Sequence, residues 1–433
     1  MRNVEWRWLL PGTGVKRWLA LVILGLAIMM AGLFLSLGDA AQNLIQQTSA
    51  SLIKSVADTM PGENPMRSAR IAVGATFILA GLALAWFSTL RLWHAFVRVL
   101  NPRSPGKPSE IMARHGLIAQ GKRIVALGGG TGMSTLLRGL KRHTANISAI
   151  VTVTDDGGSS GKLREELNVL PPGDIRNCLV ALADVEPTMT ALLQFRFDAG
   201  STHLAGHSFG NLLIAAMTQI TGDFDLAVQE IGKVLAIRGR VLPTTVDHVT
   251  LRAEMEDGAF VEGETRIVAD PRKIRRMYLN PPDAKAVDQA VKAIRQADLV
   301  VIGPGSLFTS VIPNLLVQGV ADALASSDAI RVYVCNVMTQ PGETDNLTAS
   351  DHARTIEAHA GKRVFDYVLM NSAQPSQQIL QKYEDVGQRL VVADQDRVRS
   401  MGWRPIAGNF ISESDLVRHD PLRVSEALLR LAR

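Results

Sequence analysis

Two long apolar runs open the chain, after which the pattern shifts to short β-branched runs separated by amphipathic stretches. The first run, "WLALVILGLAIMMAGLFLSL" from Trp18 to Leu37, is free of formal charge over about 20 residues, the length that crosses a hydrocarbon core. The second, "IAVGATFILAGLALAWFSTL", spans Ile71 to Leu90. A cleaved signal peptide competes for the first run and a buried core helix for the second. No small-residue cleavage site clearly ends the first, and Arg67, Arg70 and Arg91 flank the second. Basic residues set the orientation. Arg2, Arg7, Lys16 and Arg17 precede the first run, only Lys54, Arg67 and Arg70 lie between the runs, and Arg91, Arg98, Arg103 and Lys107 follow. Both ends are therefore expected on the cytoplasmic side of a bacterial inner membrane, with a short loop outside.

The pattern divides the chain into an anchor at 1–98 with spans near 18–37 and 71–90, a linker at 99–120 and a soluble domain at 121–433. "NPRSPGKPSE" at 101–110, with three prolines and little apolar content, marks the linker. Beyond it, apolar runs alternate with helical stretches, which predicts an α/β domain with a mainly parallel sheet. Strands are expected at "RIVALG" (123), "ISAIVTV" (147), "LVVIG" (299), "RVYVCNV" (331), "FDYVLMN" (365) and "RLVVAD" (389). Helices are expected at "MSTLLRGLKRH", "NLLIAAMTQI" and "AKAVDQAVKAIRQA". The period-two stretch 249–268, folded about Asp257-Gly258, predicts an inserted β-hairpin.

Composition narrows this picture modestly. The formal net charge of +5 is not gathered into a basic block with interleaved aromatics, so no nucleic-acid partner is expected. Two cysteines, Cys178 and Cys335, are far apart, which argues against a structural zinc site or a disulfide framework and for a reducing compartment.

Candidate chemistry lies in the loops. "GGGTGMSTLLRGLK" places Gly128, Gly129, Gly130, Thr131 and Gly132 between a strand and a helix, where free N–H groups suit phosphate. Met133 breaks the G-x-G-x-x-G spacing, and no lysine precedes Ser134-Thr135 as a P-loop requires. "VTVTDDGGSSGKLREELNVLPPGDIRN" follows. Asp155 and Asp156 stand where a ribose hydroxyl is met in a dinucleotide-type fold. Gly157, Gly158, Ser159 and Ser160 can form an anion-binding nest, with Lys162 as countercharge. Helix capping and a solvated basic face explain the same residues without a ligand. Asp174, Arg176 and Asn177 open the next helix, and Gly303, Gly305 and Ser306 form a further strand-to-helix loop. In open α/β sheets such loops meet where strand order reverses.

"GHSFG" at 206–210 satisfies the G-x-S-x-G pattern and offers Ser208 as a hydrolase nucleophile. The polar stretch before it makes a poor strand, so His207 and Asn211 are read as polar groups opening a helix beside the ligand, with Ser208 as its cap. "CNVMTQPGETDN" gathers Asn336, Thr339, Gln340, Glu343, Thr344 and Asp345, which either finish the crevice wall or form a plain polar loop.

Together "GGGTGMSTLLRGLK", "TDDGGSSGKLR", "LPPGDIRNCLVALA", "GHSFGNLL", "ITGDF", "VIGPGSLFTSVIPNLLV" and "CNVMTQPGETDN" resemble the YvcK family of bacterial gluconeogenesis factors, which is related to the CofD phospholactate transferases. The resemblance implies a Rossmann-like cytoplasmic domain that binds a UDP-sugar such as UDP-N-acetylglucosamine. It also implies a role in cell shape and envelope homeostasis under gluconeogenic growth. A non-catalytic regulator without a cofactor or bound metal is the leading expectation. A transferase is the alternative, in which Asp155 and Asp156 would hold Mg²⁺ against a diphosphate. The familiar members are soluble, so the membrane hairpin is a departure that would set a sugar-nucleotide sensor beside envelope synthesis. A homo-oligomer and envelope-synthesis or regulatory proteins are the protein partners left open.

Overall fold

The computed structural model describes residues 15–36, 52–59, 64–100, 118, 120–184, 187–198, 200, 204–413 and 417–432. The expected linker at 99–120 lies almost wholly outside them. Residues 1–114 and 115–433 form two separate compact units.

In the first unit, helices α1 (Val15–Ser36) and α2 (Pro65–Leu100) pack closely. A Cβ at Gly81 would stand 2.6 Å from the Gly25 carbonyl oxygen, and one at Gly32 would stand 2.8 Å from that of Gly74. Since 25 meets 81 and 32 meets 74, the two helices run antiparallel. Glycine is what permits the backbones to approach so closely. Among the described residues one helix, Pro65–Trp93, is long and apolar enough to cross a membrane. The apolar part described for α1, Trp18–Leu33, is shorter.

In the second unit a seven-stranded sheet has the order β10-β9-β8-β7-β1-β2-β3, and every pairing is parallel. The strands are β1 (Ile124–Gly128), β2 (Ile147–Val151), β3 (Arg240–Pro243), β7 (Leu299–Ile302), β8 (Ile330–Val334), β9 (Tyr367–Asn371) and β10 (Arg404–Gly408). β1, β2 and β7 are buried along their whole length, which is why they appear in the sequence as apolar runs, broken only by Ser148 in β2. From β1 the chain builds outward through β2 and β3, then returns to β1's other side and builds outward through β7 to β10. The strand order therefore reverses between β1 and β7.

The stretch expected as a strand at 389–394 is not one. Only Leu390 forms an isolated bridge, to Met338. The position beside β9 is taken by β10, an edge strand whose Pro405 and Gly408 hid it in the sequence. The inserted hairpin is present as β4 (Thr250–Met255) and β5 (Phe260–Glu262), but residues 264–269 are helical rather than extended. A third strand, β6 (Ile274–Asn280), completes an antiparallel sheet of order β5-β4-β6. Near the C-terminus β11 (Ile411–Glu413) and β12 (Val417–His419) pair antiparallel.

Candidate functional site

The glycine loops after β1 and β7 meet at the reversal point. Helix α3 (Gly130–Leu140) follows β1, and a π-helical turn, Leu307–Val311, follows Ser306 after β7. A Cβ at Gly132 would stand 2.7 Å from the Pro304 carbonyl oxygen, and one at Gly305 would stand 3.2 Å from that of Gly129. The loops are thus in backbone contact. Asn314 braces them from beneath, donating to the Gly128 carbonyl at 3.1 Å and the Ser310 carbonyl at 2.7 Å. Asn336 accepts from Gly305 N–H at 3.3 Å.

Above them opens a cleft of about 650 Å³. Of the residues singled out in the sequence, Gly130, Thr131, Gly132, Asp155, Asp174, Gly305 and Ser306 line it, as do Asn336, Gln340 and Glu343. Gly128, Gly129 and Gly303 form the turns beneath. Asp155 lies four residues beyond the end of β2 at Val151, on the loop into helix α4 (Gly158–Leu167). Asp174 opens helix α5 (Gly173–Leu182) and accepts the Gly130 N–H.

The remaining candidates lie outside the cleft. Ser159 Oγ contacts His207 Nδ1 at 3.1 Å and accepts from Asn211 Nδ2 at 3.1 Å. Arg176 donates to Asn211 Oδ1 at 3.0 Å, to Asn177 Oδ1 at 2.8 Å and to Ser208 Oγ. This buried network joins α4 and α5 to helix α6 (Phe209–Thr221). Ser160 packs against Gly173. Gly157 donates to Asp155, Gly158 turns into α4 at φ +49°, and Lys162 is exposed. Ser159, His207, Asn211 and the Arg176 terminal nitrogens thus bond within this network and do not line the cleft, although Arg176 Nε is left without a hydrogen-bond partner. Asp156 points to the inserted sheet.

Ser208 is a helix cap, accepting from the Asn211 N–H, and is fully buried. Among the described residues no strand leads into it, and its hydroxyl receives a hydrogen bond from a guanidinium, the opposite of activation by a base. The nucleophile-elbow reading therefore fails.

Several lining residues had no clear sequence signal. The inserted sheet supplies Glu264 and Val268, the β7 loop supplies Thr309 and Ser310, helix α8 (Gln377–Glu384) supplies Tyr383, and β12 supplies Arg418 and His419. Arg418 is the sole Lys or Arg among the described residues that line it.

The electrostatics are dominated by acids. Burial, then repulsion from Asp155, Asp174 and Asp156, pushes the Glu264 carboxyl up to about 9, against a hydrogen bond with Thr309. Burial also lifts Asp174 to about 6, opposed by the Gly130 N–H. Burial raises Glu343, whose carboxylate accepts from the Ser306 hydroxyl at 2.5 Å. Burial lowers His419 to about 4, so its imidazole is neutral at physiological pH. A protonated Glu264 donates where a carboxylate could only accept. As placed, no three acidic, histidine or cysteine side chains among the described residues form a metal-holding group.

Fold and cleft define a doubly wound α/β protein with an open crevice at the strand-order reversal, the place where such sheets generally take ligands. The chain belongs to the CofD family: the family profile described as 2-phospho-L-lactate transferase CofD matches residues 124–411. Its relatives there include proteins named gluconeogenesis factor, the YvcK family. One from Halalkalibacterium halodurans is 50% identical over 309 residues, covering 71% of this chain and 96% of its own. Another, from Bacillus subtilis, is 48% identical over 315 residues, covering 72% and 99%. A relative from Nostoc sp. is 44% identical over 431 residues, 99% of this chain and 92% of its own, so the similarity reaches the N-terminal unit. The crystal structure of an upf0052-family protein from Bacillus halodurans is 49% identical and covers 71% of this chain and 99% of its own, with a TM-score of 0.69.

Proposed function

We propose that this protein is a gluconeogenesis factor that binds a UDP-sugar, such as UDP-N-acetylglucosamine, in the cleft between β1 and β7, and that it acts as a regulator rather than as a catalyst. One observation carries the reading: two glycine loops in backbone contact, at the reversal of a parallel sheet, open into a cleft with a single arginine. The diphosphate takes loop N–H groups and Arg418, the pairing that phosphate recognition favours. Asp155 and Glu343 accept sugar or ribose hydroxyls, while protonated Glu264 donates to a carbonyl or hydroxyl. Calorimetric titration of the full-length protein in detergent with UDP-N-acetylglucosamine tests this. Saturable 1:1 binding that is lost in Arg418→Ala supports it, and absence of binding refutes it.

The cellular role follows from the names of the relatives and the N-terminal hairpin. The hairpin anchors the domain at the cytoplasmic face of the inner membrane, where envelope precursors are consumed, and the bound state reports their supply during gluconeogenic growth. A deletion strain that keeps its shape on gluconeogenic carbon sources would overturn that role. A reporter fused to the C-terminus and found outside the membrane would overturn the topology.

The family profile's transferase description favours a second reading, transfer of a phosphorylated group. It invokes Mg²⁺ held by Asp155 and Asp156 against a diphosphate; Asp155 lines the cleft, whereas Asp156 is turned to Thr265. Turnover of a nucleotide-linked donor would establish it.

A further inference from the structure

Asp155 and Asp156 are adjacent, yet they do different things. Asp155 lines the cleft, with its Oδ1 accepting the Gly157 N–H at 2.9 Å. Asp156 reaches the other way, across 109 residues of sequence, to the inserted sheet. Its Oδ1 accepts the Thr265 N–H at 2.9 Å and the Thr265 hydroxyl at 2.7 Å. Its Oδ2 sits against Gly263, where a Cβ would stand 2.6 Å away. Gly263 also has φ +96°, so both its conformation and its contact require glycine.

These bonds cap the short helix α7 (Glu264–Ala269) from outside the segment that forms it. Gly263 itself provides no side-chain cap. The first residue of α7, Glu264, is the inserted sheet's acidic contribution to the cleft, with its neighbour Val268 on the same wall. Burial and three neighbouring carboxylates disfavour the ionised form of Glu264, so hydrogen bonding rather than ion pairing has to hold it. Thr309 supplies one bond from the β7 loop. The Asp156–Thr265 pair supplies the rest, one residue away along the backbone.

We propose that Asp156 is a positioning residue for the ligand cleft: by capping the helix that starts at Glu264, it latches the inserted sheet to the β2–α4 loop and holds the Glu264 carboxyl against the bound molecule. The proposal rests on the ligand reading above for its functional consequence, though the latch itself does not. It assigns the paired carboxylates separate tasks, one facing ligand and one fixing the opposite wall.

Full-length variants Asp156→Ala, Asp156→Asn, Thr265→Val and Glu264→Ala test this by two readouts. The first is amide exchange across 263–269, which needs no ligand. Asp156→Ala should speed exchange at Thr265 about tenfold or more and Thr265→Val by less, while Asp156→Asn, which keeps an acceptor oxygen, stays within about threefold of the parent. The second is UDP-N-acetylglucosamine affinity. Asp156→Ala should weaken it about tenfold, Asp156→Asn should restore it, and Asp156→Ala added to Glu264→Ala should cost nothing further. Unchanged exchange in Asp156→Ala and Thr265→Val overturns the latch. An additive double variant, or an Asp156→Asn that binds as poorly as Asp156→Ala with normal exchange, makes Asp156 a direct ligand contact instead. If the parent does not bind, the ligand reading fails and the exchange data alone decide the latch.

Discussion

Gly132 and Pro304 bring the two glycine loops into contact: a Cβ on the first would meet the carbonyl oxygen of the second at 2.7 Å. The opposing atom is backbone, which a side-chain rotation cannot move away. Gly132→Ala should therefore force the loops apart at a cost of about 1–3 kcal/mol, read as a lowered denaturation midpoint. It should weaken UDP-sugar binding at the same time, because the N–H groups of both loops shift.

Arg418 stands alone as a cation among Asp155, Asp174, Glu264 and Glu343. Its removal leaves a diphosphate facing carboxylates with only backbone dipoles to hold it. Arg418→Ala should reduce affinity about 30-fold or more, and Arg418→Lys should recover only part of it, since a point charge does not reproduce the guanidinium fork. Titration calorimetry at two salt concentrations separates this from a folding defect. The parent's affinity should fall with salt more steeply than the variant's.

Glu264 makes stability depend on pH. Its folded value of about 9 lies above the ordinary glutamate value of 4.5, so between these limits the folded state binds more protons than the unfolded one. Its contribution is therefore most favourable below pH 4.5 and is lost progressively as pH rises toward 9. Glu264→Gln should flatten that slope and raise the melting temperature at pH 8 by about 4 °C, with little change at pH 4.5. Thermal melts of parent and variant across this range are the check, and equal slopes would contradict it.

Arg176 predicts the reverse separation of effects. It spans Ser208, Asn211 and Asn177 and passes so near Gly210 that a Cβ there would lie 2.7 Å from its Cδ. Arg176→Ala strands those buried polar groups and should cost about 2–4 kcal/mol of stability. Affinity of the remaining folded protein should stay within about threefold of the parent, since Arg176 does not line the cleft. Denaturant titration and calorimetry on the same samples distinguish the two quantities.

Tyr383 ties α8 to β12 by accepting the Val417 N–H at 2.9 Å, beside Arg418. Tyr383→Phe should free that strand and weaken ligand binding about three- to tenfold while leaving the melting temperature almost unchanged, because α8 has no buried residue. A substantially lowered melting temperature would show that the contact belongs to the core instead.

Central strands and glycine turns are the parts of this protein written locally in its sequence. β1, β2 and β7 are buried on both faces, so β1 and β7 appear as uninterrupted apolar runs and β2 as one broken only by Ser148, and Gly128–Gly132 and Gly303–Gly305 mark sharp turns wherever they fall. Edge strands β3 and β10 escaped because half-exposed backbone tolerates Pro243, Pro405 and Gly408. The cleft was only half legible for a different reason. Asp155 and Asp156 are chemically equivalent candidates in one dimension, Asp174 and Arg176 are equally eligible polar ones, and only the direction each side chain takes from its helix or loop separates cleft wall from buried scaffold. Glu264, Tyr383 and Arg418 reach the cleft from an inserted sheet, a surface helix and the C-terminal hairpin, each remote in sequence from the glycine loops. Local backbone preferences determined the strands and turns. Long-range packing decided which polar groups share one cleft, because burial and neighbouring charge belong to the assembled fold and to no single segment of it.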